Sequence, residues 1–122
     1  FMPPGTMTLS SERQRYVEAL ERDLDSLVRQ LSAMPEVHKV ILFGSYAAGR
    51  RDLFTDLDLL VVMDSSLDFV SRGVDLARRL RAGVALDLLA YTPREMERMR
   101  ERPFMRHVLN TGKVRYERNA EG

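Results

Sequence analysis

The stretch Phe43–Val61, FGSYAAGRRDLFTDLDLLV, joins the end of one apolar strand to the beginning of another. The first strand ends at Gly44-Ser45, and after ten intervening residues the second begins around Asp56 and Asp58. Residues two apart on a strand point to the same face, so we expect these two carboxylates to lie side by side. The stretch therefore predicts two strands that meet at a polar site.

Neighbouring carboxylates repel each other unless something neutralises them. At a separation of about 5 Å, the repulsion is on the order of 3 kcal/mol at an effective dielectric constant of roughly 20. Asp87 adds a third acid within VALDLLAY, which we expect to be a buried strand where a lone ionised carboxylate needs a partner. Because no His or Cys is nearby, this all-oxygen set suits Mg²⁺ or Mn²⁺ and not zinc.

The Gly44-Ser45 pair supplies a second kind of chemistry. A strand that opens into a small-residue helix at Gly-Ser exposes backbone N–H groups and a hydroxyl, which can bind phosphate. Each feature alone has an ordinary structural explanation: Gly-Ser as a turn, Asp-x-Asp as a strand end, and Asp87 as half of a salt bridge. Their combination favours a site for a metal ion and a phosphate group.

The remaining sequence predicts one small domain. We expect residues 1–9 to be a disordered leader, 10–118 a single domain and 119–122 a flexible tail. The predicted order is α-β-(short α)-β-α-β-α-(β), which indicates an α/β (α+β) fold with a small mixed sheet flanked by helices. Thr92–Glu95 predicts a capping box at a helix start, and Pro103 predicts a break in that helix.

Two helices carry apolar stripes at helical spacing. The stripe of the first helix either covers the sheet, which we expect, or forms a seam in a homo-oligomer; it comprises Tyr16, Leu20, Leu24, Leu27 and Leu31. In the helix after the second strand, the residues expected to face inward are Val70, Val74, Ala77 and Leu80. These faces predict that helices pack directly on the sheet.

Composition limits the classes of function. The formal net charge of +1 gives no reason to expect a membrane or nucleic-acid partner, and the Arg-rich helix segments are best interpreted as solvated faces. There is no cysteine, which excludes disulfides and thiolate metal sites and is compatible with a reducing cytoplasm. We therefore expect a cytoplasmic protein that does not use nucleic acid as its direct substrate.

The spaced motif Gly44-Ser45, Asp56-x-Asp58 and Asp87 resembles that of the polymerase-beta-like nucleotidyltransferase superfamily. The similarity extends from about Val37 to Tyr116, and the small size resembles the minimal branch, the MNT proteins, often encoded beside a HEPN partner. This resemblance implies a nucleotidyltransferase fold and a nucleoside triphosphate substrate, with ATP as the AMP donor. It further implies transfer to a HEPN toxin tyrosine, in the manner of a type VII-like antitoxin.

The resemblance also implies a role for each site residue. Gly44 and Ser45 would hold the β- and γ-phosphates, and Asp56 and Asp58 would bind both Mg²⁺ ions. Asp87 would bind the catalytic metal and help to deprotonate the acceptor hydroxyl. From their place between the two halves of the motif, we add Arg50 and Arg51 as candidate phosphate contacts.

Two alternative functions remain open at this point. The chain could be a non-catalytic module that blocks a toxin sterically, or it could modify a small molecule. Larger relatives hold their acceptors with extra domains, for which this chain has no room. We therefore expect a partner protein to supply much of the acceptor site.

Overall fold

The computed structural model describes residues 9–118. Residues 1–8 and 119–122, which include most of the predicted leader and all of the predicted tail, lie outside the described residues, so the division into leader, domain and tail stays a prediction. The elements in chain order are α1 (Leu9–Ser32), β1 (Val37–Phe43), α2 (Gly44–Ala47), β2 (Leu57–Met63), α3 (Phe69–Arg79), β3 (Leu86–Tyr91), α4 (Pro93–Met99), α5 (Pro103–Thr111) and β4 (Lys113–Glu117).

The strands form one mixed sheet in the order β3-β2-β1-β4. The pairs β1–β2 and β1–β4 are antiparallel, whereas β2 and β3 are parallel and connected through α3. The predicted α/β class with a small mixed sheet is confirmed. Within residues 9–118, no helix has both the length and the apolar character that crossing a bilayer requires.

Side chains of β2 alternate between the two faces of the sheet. The first face carries Leu57, Leu59, Val61 and Met63, which pack with α1, α2 and α3. The second face carries Leu60 and Val62, which pack with Met105 and Val108 of α5. Asp58 continues the second series by one more step of two residues, so it shares a face with this smaller core. Both sides of β2 are covered along its apolar part, as its sequence predicts.

The expected roles of three local sequence signals are confirmed. The N-terminal stripe lies against the sheet, with Leu20, Leu24, Leu27 and Leu31 at most 2% exposed. The capping box at α4 is complete, because Thr92 and Glu95 bond reciprocally to each other's backbone N–H groups. Pro103 then begins α5, so the predicted break is also present.

The inward face of α3 was predicted correctly only at Leu80, which packs against the larger core just after the helix. Val70 is 71% exposed and Val74 and Ala77 are also exposed, whereas Arg72 and Leu76 are buried. The Arg72 guanidinium makes a bidentate ion pair with Glu95 and also donates to the carbonyls of Leu67 and Ala90. Because these acceptors satisfy the charge, an arginine occupies the core position that the hydropathy pattern assigned to valine.

Candidate functional site

Sheet register brings the three acids of the motif together. Asp58 of β2 and Asp87 of β3 are direct partners in the parallel ladder, and neighbouring strands lie roughly 4.8 Å apart. Asp56 stands two residues before Asp58, just ahead of the strand. One carboxylate oxygen from each of the three residues lies within 4.8 Å of the other two. The fold therefore concentrates three carboxylates where β2 begins.

The helices that cover the second face of the sheet do not extend over the three acids. In β2, the positions after Asp58 on that face, Leu60 and Val62, are covered by α5 and by side chains of α4. Asp56 and Asp58 are partly buried, and Asp87 is exposed. The acids thus lie at the end of the sheet where the second helical layer stops, with access from solvent.

Asp87 belongs to the cluster for a reason other than the one expected from sequence. The expected buried strand is an edge strand, since β3 pairs only with β2 in the sheet of the described residues. Burial therefore places no demand on Asp87 for a partner, and that part of the prediction was wrong. What brings Asp87 to the site is its register opposite Asp58.

Gly44 is packed directly against Asp58. Phe43, the last residue of β1, is the cross-strand partner of Asp58, so Gly44 follows at the same level of the sheet. Gly44 has a φ of 77°, in the left-handed region, and a Cβ built there would overlap Asp58 Oδ2 and approach its Cγ to 2.8 Å. A glycine is therefore required here for the carboxylate itself, whether or not a phosphate is bound.

A small hydrogen-bonded loop positions Asp56. Asp52 Oδ1 accepts from the N–H of Phe54 at 2.8 Å and from the Thr55 hydroxyl at 3.1 Å. The Tyr16 hydroxyl, from α1, donates to the carbonyl of Thr55 at 2.6 Å. Thr55 is only 1% exposed. The residue before Asp56 is thus anchored to both the loop and the long helix.

Sequence reasoning did not identify Tyr16, Asp52 or Thr55 as contributors to the site. The spacing Asp-x-x-Thr is compatible with a side-chain-stabilised turn, which is a signal that could have indicated Asp52 and Thr55. Tyr16 appeared only as part of an apolar stripe. Nothing local in the sequence connects it with a loop 39 residues away.

The environment of the cluster changes the pKa of Asp58. Its burial, together with the charges of Asp56 and Asp87 and hydrogen bonds to both, raises the pKa of Asp58 to about 7. Between residues 9 and 118, no Lys, Arg or His forms an ion pair with any of the three acids. Within this part of the chain, the cluster therefore has no cationic side chain to offset its charge, and the protonated form of Asp58 is favoured relative to an ordinary aspartic acid.

These residues fit a hard divalent cation. The donor set consists of carboxylate oxygens, which Mg²⁺ and Mn²⁺ prefer, and no Lys, Arg or His of residues 9–118 forms an ion pair with them. A cation held among the three would remove their mutual repulsion. The geometry supports divalent metal use without distinguishing between the two ions.

The other predicted site residues surround the cluster in different ways. Ser45 follows Gly44 at the start of α2 and is partly exposed. Arg50 pairs with Asp52 at 2.8 Å, and the charge of Asp56 also contributes to raising the pKa of Arg50. Arg51 stacks 3.5 Å from the centre of the Tyr46 ring and donates to the Tyr46 carbonyl. The structure brings neither guanidinium into contact with the acids.

Comparisons with known proteins agree with the motif. The family described as Polymerase beta, Nucleotidyltransferase matches residues 25–121. A candidate protein adenylyltransferase of Methanocaldococcus jannaschii is 34% identical over 82 residues, which is 66% of this chain and 79% of that protein.

Two solved structures are similar in fold. A candidate nucleotidyltransferase from Sulfolobus solfataricus has a TM-score of 0.55 at 21% identity, with 95% of this chain and 94% of the other covered. A toxin–antitoxin structure with AMP-PNP has a TM-score of 0.49 at 24% identity, with 83% and 76% covered. The first likeness extends over nearly the whole of both chains and supports the fold. From the strand register, the family match and the archaeal relative together, this chain belongs to the polymerase beta nucleotidyltransferase family.

Proposed function

We propose that this nucleotidyltransferase transfers AMP from ATP to a hydroxyl group of a partner protein, using Mg²⁺ or Mn²⁺. The observation that carries the proposal is the cluster of Asp56, Asp58 and Asp87, whose carboxylate oxygens converge within 4.8 Å beside Gly44. The name of the archaeal relative, a protein adenylyltransferase, supports a protein as the acceptor.

Each site residue has a role in this proposal. Asp56 and Asp58 hold the cations together with Asp87, and Gly44 and Ser45 bind the terminal phosphates. When bound, the metal supplies charge neutralisation at the phosphates and makes the acceptor hydroxyl more acidic. Arg50 is the more available of the two candidate arginines, because its partner Asp52 is on the surface, whereas Arg51 is held by Tyr46.

The reaction is an in-line displacement at the α-phosphorus. The acceptor oxygen forms a new P–O bond, the bond from the α-phosphorus to the bridging oxygen breaks, and pyrophosphate leaves with those electrons. In this proposal Asp87 takes the hydroxyl proton from an acceptor that approaches from solvent, which its exposure on an edge strand supports. No covalent intermediate with the protein is required.

For the acceptor, we propose a tyrosine of a HEPN-family toxin, with this protein acting as a cytoplasmic antitoxin. This part rests on the resemblance of the spaced motif to that of the superfamily. The open position of the acids is compatible with an acceptor carried by a second protein, since Asp87 is exposed within residues 9–118.

The test is transfer of labelled AMP. The protein is incubated with α-labelled ATP, Mg²⁺ and the product of the neighbouring reading frame, and the partner is examined for label. We expect label with the wild type and none with Asp58→Asn, which keeps the side-chain shape and removes the charge. Asp64→Asn is the matched control, because Asp64 follows the other end of the same strand and pairs with His38. It should leave labelling unchanged.

Two other results would replace the proposal. Neutralisation of the partner without label, retained in Asp58→Asn, would indicate steric blocking by a non-catalytic module. Label on a sugar or drug hydroxyl with no need for a partner protein would indicate a small-molecule nucleotidyltransferase.

A further inference from the structure

An aromatic pair borders the acids on the side opposite Asp87. Phe43 is the cross-strand partner of Asp58 on β1, and its side chain belongs to the second face of the sheet, the face of the acids. The Phe104 ring of α5 meets the Phe43 ring edge to face, with centroids 5.8 Å apart and planes at 84°. Asp58 thus has Asp87 on one flank and Phe43, then Phe104, on the other.

Phe104 is exposed although its ring is held by an aromatic contact. It is 45% exposed, whereas its neighbour Met105 is fully buried and already supplies the packing of α5 on the sheet. An edge-to-face contact occupies the edge of one ring and leaves a flat surface of the other available. The pair therefore fixes an aromatic surface that remains partly open to solvent near the acids.

The position of this surface matches what a bound nucleotide requires. Neighbouring strands are roughly 4.8 Å apart, so the Phe43 side chain lies one strand away from Asp58, and the Phe104 ring is in contact with Phe43. A nucleotide whose phosphates bind at Asp58 and Gly44 has its base one sugar unit from its α-phosphate. Aromatic side chains beside a phosphate site provide stacking surfaces for bases.

The other exposed aromatic residues fit this role less well. Phe54 is 83% exposed near Asp56, but the described residues provide no second ring to hold it. Phe69 contacts Tyr91 with centroids 5.0 Å apart, but Tyr91 lies four residues beyond Asp87, about 13 Å along the strand. Phe104 is both held in place and close to the acids.

We propose that Phe104, oriented by Phe43, is the platform on which the nucleobase of the triphosphate substrate stacks. This inference rests on the proposed function, because it takes its ligand from there. Stacking uses the flat face that every base presents, so the platform contributes to affinity and discriminates only modestly among bases.

The experiment measures binding of AMP-PNP with Mg²⁺ by calorimetry in variants at this position. Phe104→Ala should weaken binding about tenfold, the scale of one lost base–aromatic stack. Phe104→Trp should retain binding, whereas Phe104→Leu should lose it despite a similar apolar volume. Leu109→Ala is the matched control, because Leu109 lies on the same helix and is 38% exposed. It should bind like the wild type.

Inorganic tripolyphosphate with Mg²⁺ separates the base from the phosphates. It lacks a base, so it should bind equally to the wild type and to all Phe104 variants. Equal loss of tripolyphosphate and AMP-PNP binding in Phe104→Leu would overturn the inference, since the damage would then lie at the phosphate site. Melting temperatures of each variant identify any loss caused by unfolding.

Other outcomes contradict the inference in different ways. Unchanged AMP-PNP affinity in Phe104→Ala would overturn it, and loss of transfer to the partner at unchanged AMP-PNP affinity would assign Phe104 to the acceptor. If the wild type bound neither AMP-PNP nor tripolyphosphate, the proposed function itself would fail. That result differs from failure of the stacking platform, in which the wild type binds both.

Discussion

At the scale of single residues, the site depends on a close contact between a glycine and a carboxylate. Gly44 combines a left-handed backbone conformation with contact to Asp58, so two independent requirements exclude any other residue there. Gly49 also has a positive φ, of 102°, but nothing lies within 4 Å of the position of a Cβ. Both glycines have a backbone conformation that disfavours other residues, but only Gly44 also lacks space for a side chain.

We predict that Gly44→Ala abolishes metal binding and transfer, whereas Gly49→Ala preserves both. Each substitution should lower the free energy of unfolding by about 1–2 kcal/mol, because alanine is disfavoured at positive φ. Only the Cβ at Gly44 displaces the Asp58 carboxylate. Mn²⁺ binding measured by calorimetry and a urea titration of each variant check this. Metal binding retained in a folded Gly44→Ala protein would contradict it.

At the scale of elements, the long helix and the loop before β2 act together. The Tyr16 hydroxyl ties α1 to the carbonyl of Thr55, next to Asp56. The contact lies outside the three acids, so Tyr16 is a positioning residue whose effect should be seen in the metal affinity as well as in the stability.

We predict that Tyr16→Phe lowers the free energy of unfolding by about 1 kcal/mol, the typical contribution of one hydrogen bond. It should also weaken Mn²⁺ binding several-fold, because the loop that presents Asp56 loses an anchor. Tyr116→Phe is the control, since Tyr116 lies on β4 and packs its ring against the larger core, away from the loop before β2. Equal metal affinity in Tyr16→Phe and the wild type would limit Tyr16 to a purely structural role.

A second contact between elements connects α3, β3 and α4. The buried Arg72 guanidinium binds Glu95 with both nitrogens, at 2.6 and 3.1 Å, and Glu95 also completes the capping box of α4. The hydrogen bond from Arg72 is the largest factor that lowers the pKa of Glu95. This ion pair therefore contributes stability only while Glu95 is ionised.

We predict that Glu95→Gln destabilises the fold by about 3 kcal/mol near neutral pH, because it leaves the buried Arg72 charge without its counterion. Since the pKa of Glu95 is lowered on folding, its contribution is complete above its ordinary pKa of 4.5 and is lost as the pH falls through the lower folded value. The difference between Glu95→Gln and wild type should therefore shrink in acid. Thermal unfolding as a function of pH measures it.

Glu36→Gln is the control for this prediction. Glu36 forms an ion pair with Arg79 at 3.4 Å, and both side chains are about a third exposed. Exposed ion pairs contribute at most about 1 kcal/mol, so this variant should differ little from the wild type at any pH. Equal effects of the two substitutions would contradict the role assigned to burial of Arg72.

At the scale of the whole molecule, the two faces of the sheet have different roles: one carries the larger core, and the other carries the acid cluster. The first face carries the larger core under α1 and α3, which stabilises the domain. The second face carries a smaller core that ends before Asp58, so the same strand continues from apolar packing into the acid cluster. Repulsion among the three carboxylates destabilises the metal-free protein, and a bound cation should remove that destabilisation.

We predict that the cost of placing three carboxylates together makes the global stability depend on pH. The pKa of Asp58 is raised on folding to about 7, so the folded state holds a proton that the unfolded chain releases above its ordinary pKa of 3.8. Without metal, stability should therefore decrease as the pH rises from about 4 through 7. Mg²⁺ should raise the melting temperature more at about pH 8 than at about pH 6, because the proton competes with the cation at Asp58.

Asp58→Asn provides the comparison for this measurement. It removes the titrating group, so its metal-free melting temperature should depend less on pH, and Mg²⁺ should change it little. A melting temperature of the wild type in EDTA that rose relative to Asp58→Asn between pH 6 and 8 would show that the sign of the predicted effect is wrong.

The sequence by itself determined the features that depend on residues close together along the chain. A run apolar on both faces predicted β2, a proline and a capping box predicted α4, and the spacing of Gly44 to Asp58 identified the family motif. These signals are local because periodicity, capping and turn geometry involve residues a few positions apart.

Tertiary structure alone decided that β3 is an edge strand, which face of α3 is inward and what holds Asp56. Asp87 is exposed because the helices that cover the second face stop short of it, and the Arg72 guanidinium is buried because Glu95, 23 residues away in sequence, binds it. The Tyr16 hydroxyl bonds to a loop 39 residues distant. Each depends on a partner that is remote along the chain. Whether a charge is buried or a hydroxyl is bonded follows from the energy of that long-range pairing, which no local pattern contains.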